Sequence, residues 1–136
     1  MTAKLLLRIA AALMLLHTIG HSIGAFTWKQ APNAAVAQTI AGMINNHFDF
    51  MSRSASLGSF FDGYGIMNIF VLLLIALVLW LLSSDTTSSL TRKLVMVFGI
   101  FLLLMGVTEY IYFFAFAAII SLLAGVCTLT ALLKKS

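Results

Sequence analysis

The residues of this chain with chemical capacity are few, and most of them stand where charge is costly. Two of the three histidines, His17 and His21, lie inside the first long apolar run, LMLLHTIGHSIGAFTW. His17, His21, Gly24 and Trp28 are spaced four, three and four apart, so on a helix they share one face. A second apolar run carries one carboxylate, Glu109, and a third carries one amide, Asn68. Three chemistries suit this set. A histidine and a glutamate in a dry pocket have shifted proton affinities and can move a proton on a lipophilic substrate, with His21 and Glu109 as the working pair and His17 orienting or sharing the proton. His17 and His21 at i, i+4 can chelate an ion, with His47 or Glu109 completing a zinc-like set. Two histidines from different helices can ligate a haem. The plainer reading is that the histidines and Glu109 satisfy one another and tie helices together. The cofactor stays open among these.

The elements that position these groups follow from composition. The chain has 136 residues, 62% hydrophobic and only 9% charged, with a mean hydropathy of +1.08. A water-soluble domain carries about a quarter charged residues, so this composition predicts an integral membrane protein of one domain. The net charge is +4, but the positives sit at the ends of apolar runs rather than on a polar face, which argues against nucleic-acid binding. Cys127 is the one cysteine, so no intramolecular disulfide can form, and no charged neighbour in sequence activates it. No GxGxxG, Walker A, HExxH or CxxC motif is present.

The pattern predicts an all-α fold: a four-transmembrane-helix bundle with an amphipathic lid helix between helices 1 and 2. The expected spans are residues 3–26, 64–82, 92–112 and 115–133. The first, long enough to cross a bilayer, reads as an uncleaved helix rather than a signal peptide. Pro32 and Asn33 open the expected lid, over residues 33–52. Val36, Ile40, Met43, Ile44, His47, Phe48 and Met51 recur on one face of it, so His47 is expected to point inward. Asp49 and Arg53 then stand one turn apart as a surface ion pair, the alternative being Arg53 on a lipid phosphate or on Glu109. The stretch after it reads as a loop ending in a Gly63-Tyr64-Gly65 turn. Residues 94–133 are too long for one span, and the reversal is placed near Phe113 to Phe116.

Depth suggests convergence. Lys4 and Arg8, Arg92 and Lys93, and Lys134 and Lys135 all fall on one side of four spans, which puts both termini in the cytoplasm. His17, His21, Asn68 and Glu109 then lie from mid-membrane outward, and intramembrane polar groups of this cost face the bundle interior and pair. The expected site is one pocket beneath the lid, with His17, His21 and Glu109 as proton-handling groups. Asn68, His47, Arg53, Trp28 and Tyr110 are its ligand-binding candidates. Its occupant would be a lipophilic small molecule. Gly20 and Gly24 form a GxxxG pair that leaves a homodimer open. Small residues on the last two runs (Gly99, Gly106, Ala117, Ser121, Gly125, Thr128) read as helix-packing positions.

The opening KLLLRIAAALMLLHTIGH, the four expected spans and the polar first loop resemble the DoxX-like membrane proteins. The closer likeness is to an uncharacterised bacterial four-span family in that neighbourhood, carried by His17, Gly20 and His21 and by Phe60, Phe61, Asp62, Gly63, Tyr64 and Gly65. The resemblance implies a quinone-adjacent, non-catalytic accessory or scaffold role in a quinol-linked membrane complex. The polar lid departs from that pattern.

Overall fold

The computed structural model describes residues 1–134, so Lys135 lies outside the described residues. The elements run α1 (Ala3–Thr27), α2 (Ala34–Asn45), β1 (His47–Phe50), β2 (Arg53–Ser56), α3 (Leu57–Leu82), α4 (Ser89–Tyr112) and α5 (Ala115–Ala131). α1, α3 and α4, at 25, 26 and 24 residues, are each long and apolar enough to cross a membrane. α5 is shorter, at 17 residues. The chain is thus mostly helical, and its three span-length apolar helices fit an integral membrane protein. By its contacts it divides into two compact units, one of residues 1–18 with 71 onward, the other of residues 19–70.

In the first unit, Leu7, Ala10 and Met14 of α1, Leu72 and Leu79 of α3, Leu102 of α4 and Ala124 of α5 belong to one buried core. Lipid is as apolar as leucine, so helices there are held by close contact rather than by a hydrophobic drive. α4 and α5 come into such close contact by alternating glycine with leucine. A Cβ at Gly99 would stand 2.5 Å from Leu129, one at Gly106 2.7 Å from Leu122, and one at Gly125 2.9 Å from Leu103. The reversal between them sits at Phe113 and Phe114 without glycine or proline. Phe113 leaves helical geometry while its N–H still donates to the Glu109 carbonyl, and Phe114 is extended. At the other end, the Ser88 hydroxyl accepts from the Thr91 N–H to cap α4. Arg92 Nη2 donates to the Leu132 carbonyl, one of the orphan carbonyls past the end of α5.

In the second unit the structure corrects the lid. The helix expected over 33–52 is capped by the Asn33 side chain as anticipated, but α2 ends at Asn45. Residues 47–56 form a two-stranded antiparallel hairpin, with His47 opposite Ser56 and Phe50 opposite Arg53. Met51 and Ser52 turn it with positive φ, 49° and 65°, the geometry of a tight two-residue hairpin turn. The stretch expected as a loop is the start of α3. Ser56 Oγ accepts from the Ser59 N–H, and Ser59 Oγ accepts from the Ser56 N–H. This reciprocal cap starts the helix at Leu57. The expected Gly63-Tyr64-Gly65 turn is therefore helical. Gly65 serves close packing instead: a Cβ there would stand 3.2 Å from that of Ala25.

Candidate functional site

α1 brings His17 into the core of the first unit, one turn beyond Met14, and α4 and α5 supply its partners. His17 Nε2 lies 3.4 Å from Glu109 Oε1, and its Nδ1 lies 3.2 Å from Ser121 Oγ. Ser121 is 0% exposed and His17 6%. The buried stripe of α4 (Thr91, Val95, Gly99, Leu102, Gly106) continues one turn on to Glu109. On α5, Ser121 lies in the stripe with Ala117, Ala124 and Thr128. The close approach of Gly106 to Leu122 thus sets the helix spacing at which Ser121, the residue before Leu122, meets the imidazole.

A lone carboxylate or imidazolium at this depth costs at least a few kcal/mol. The His17–Glu109 pair avoids that cost in either of two states. As imidazolium and carboxylate it is neutral overall, and Nδ1–H donates to Ser121. As neutral imidazole and carboxylic acid it is again neutral, Glu109 donating to Nε2 and Nδ1–H still donating to Ser121. A proton passes between the two groups without changing the charge of the core. The Ser121 hydroxyl also interacts with the Glu109 carboxyl, but Oε2 is buried and has no hydrogen bond of good geometry among the described residues. The arrangement is not that of a serine hydrolase. Ser121 is inaccessible, and in mid-helix the neighbouring N–H groups are committed to their own carbonyls, so no oxyanion donors remain.

The other expected site residues belong to the second unit, except Tyr110, which lies on α4 of the first. His21 Nε2 lies 3.1 Å from the Gly65 carbonyl and 3.5 Å from Asn68 Nδ2. A carbonyl only accepts, so Nε2 carries a hydrogen there, and Asn68 is exposed beside it. Glu109 is met by His17, where the sequence reading had paired it with His21. Trp28 Nε1 and Lys29 Nζ both donate to Asp62, each at 2.7 Å, and the Trp28 ring packs on Phe61 at 4.7 Å between centroids. Trp28 therefore ties the end of α1 to the start of α3.

His47 is a correction. In a hairpin its side chain shares the polar face with Asp49, Ser54 and Ser56, and it is exposed, 3.4 Å from Ser54 Oγ. The expected Asp49–Arg53 pair does not form among the described residues, because strand alternation sends the two side chains to opposite faces. Tyr110, one residue past Glu109 and off the buried stripe, is 71% exposed. Among the described residues no three His, Cys, Asp or Glu side chains are grouped as a metal site would require.

Two participants were missed. Ser121 read as a small packing residue, though a serine in an apolar helix is also a short-range partner for a buried imidazole. Asp62 read as part of a loop, though it lies within reach of Trp28 and Lys29 once α3 starts early. No protein-family model matches the chain, and neither the curated proteins nor the solved structures contain a significant match.

Proposed function

We propose that this protein is a four-span membrane protein, with α5 as the fourth span, and that its His17–Glu109–Ser121 cluster serves a lipophilic small molecule, holding and exchanging a proton with it. Both termini face the cytoplasm in this reading, and the membrane is a bacterial inner membrane. One observation carries it: among the described residues Glu109 Oε2 is buried without a hydrogen-bond partner, while Oε1 is engaged by His17. An unmet polar atom of this kind costs about 1–3 kcal/mol. The hydroxyl or carbonyl of a quinone-like or other lipophilic ligand would meet it, as acceptor or donor according to where the proton resides. His17 would then take or return the proton, and Ser121 would hold the ring in register.

The test is native mass spectrometry of the protein released from mild detergent, for the wild type and for Glu109→Gln and Ser121→Ala. A bound species of defined mass, retained by the wild type and depleted in both variants at unchanged melting temperature, is the expected result. Equal occupancy in Glu109→Gln and wild type would sink the proposal.

A second reading has its own observation. A Cβ at Gly20 or Gly24 would meet nothing within 4 Å, so the GxxxG strip of α1 is open to another helix. A non-catalytic accessory subunit, as the DoxX-like resemblance implies, would dock there. It predicts a protein complex or a homodimer in the same spectra, with no small molecule to lose.

A further inference from the structure

The hairpin of the second unit has one apolar face and one cation on it. Alternation puts Phe48, Phe50, Arg53 and Ala55 on the same side. Phe48 and Phe50 close around the ring of Phe60 on α3, at 6.1 and 5.4 Å between centroids. Beside that contact lies an apolar groove of about 480 Å³, lined by Phe50, Arg53, Phe60, Gly63, Tyr64 and Met67 among others. That volume lies within the range of small-molecule sites, about 300–1,000 Å³. Residues 60, 63, 64 and 67 are one face of α3. Gly63 keeps it open, since a Cβ there would meet nothing within 4 Å.

The charges of this unit decide what the groove can take. It has two carboxylates. Asp62 is occupied by Trp28 and Lys29, and Asp49 faces the other side of the hairpin. Arg53 is left at an apolar groove with no carboxylate within ion-pair distance among the described residues. A cation beside an aromatic-lined trough matches an amphiphile with an anionic head. The groove flanks the first turns of α3, a helix of span length, where the headgroups and upper acyl carbons of a bilayer would lie.

We propose that this groove binds an acidic phospholipid, its phosphate on the Arg53 guanidinium and the upper part of one acyl chain along Phe50, Phe60, Tyr64 and Met67. This site shares no residue with the His17–Glu109–Ser121 cluster, so either proposal can fail without the other.

The experiment titrates the full-length protein in detergent with phosphatidylglycerol or phosphatidylcholine and counts lipid adducts by native mass spectrometry. The expected result is a one-to-one adduct with phosphatidylglycerol, formed in preference to phosphatidylcholine. Arg53→Gln keeps a polar, hydrogen-bonding side chain but removes its charge, and it weakens that adduct about fivefold, the effect of one basic residue on an acidic lipid. Arg53→Lys retains most of the binding. Gly63→Leu fills the groove and abolishes the adduct, with helix content by circular dichroism unchanged. Lys93→Ala, another exposed cation, leaves it intact. Equal binding of the two lipids, an adduct indifferent to Arg53→Gln, or displacement of the lipid by a single-chain neutral detergent would overturn the assignment.

Discussion

Gly106→Ala isolates the contact on which the buried cluster depends. The added methyl would stand 2.7 Å from Leu122 Cγ, 2.9 Å from its Cδ2 and 3.0 Å from its backbone nitrogen. The side chain can rotate away, but the backbone cannot, so α5 must retreat from α4. Overpacking of this kind costs about 1–3 kcal/mol. Alanine recovers roughly 0.5–1 kcal/mol over glycine in a helix. The net expectation is a loss of about 1–2 kcal/mol. Gly20→Ala is the internal control, because its methyl meets nothing within 4 Å. Only the helix gain remains there, about 0.5–1 kcal/mol of stabilisation. The same chemical change should therefore act with opposite sign at two helical glycines. Reversible unfolding in mixed micelles, followed by far-ultraviolet circular dichroism, measures both. Adding Leu122→Ala to Gly106→Ala should restore only part of the loss, since the backbone nitrogen stays in place. A Gly106→Ala protein as stable as wild type would refute the close-contact argument. It would also remove the physical basis for placing Ser121 against His17.

Two further perturbations probe the connections. Ser52 turns the hairpin at φ 65°, a conformation that costs an L-residue about 1–2 kcal/mol and glycine almost nothing. Ser52→Gly should slow amide hydrogen exchange in His47–Ser56 about two- to fivefold, after discounting the flexibility glycine brings to the unfolded chain; faster exchange would contradict the turn geometry. Asp85, in the loop before α4, accepts at Oδ1 from the Thr87 hydroxyl, the Thr87 N–H and the Ser88 N–H. These bonds hold its carboxyl below the usual value, the Thr87 hydroxyl contributing most. A depressed folded value means that the contribution is present above the ordinary carboxylate range and is lost as pH falls through the lower folded value. The Thr87 and Ser88 amide resonances should shift with that low midpoint, and Asp85→Asn should abolish the transition; a midpoint at or above the ordinary value would show that the turn does not form.

Much of the architecture is readable in the chain because burial in lipid leaves few alternatives. An apolar run of this length has no stable state but a helix, and the composition admits no water-soluble core. Residues 94–133 are too long to be one span, and the two aromatic residues of the reversal lie inside the stretch where length alone placed it. The hairpin was misread for a local reason. Apolar residues three and four apart from Val36 continue through His47, Phe48 and Met51, so a helical period seems to persist. The alternation His-Phe-Asp-Phe occupies the same positions with a period of two, and four residues do not separate the two readings. The cap that starts α3 was present as Ser56-Leu57-Gly58-Ser59, hidden because serine at both ends also reads as loop.

Hydropathy, length and the placement of charge determined by themselves that the chain forms apolar helices of membrane-spanning length, and that His17 and Glu109 must find partners out of lipid. Which partners they find is a matter of helix rotation and spacing. Those depend on Gly99, Gly106 and Gly125 each receiving a leucine from the facing helix. Only the tertiary structure decided that Glu109 meets His17, that Ser121 stands behind the ring, and that His47 leaves the apolar face. A one-residue turn of a helix, or a change from helical to strand periodicity, moves a side chain to another face at little local cost, so only packing across the fold discriminates among these arrangements.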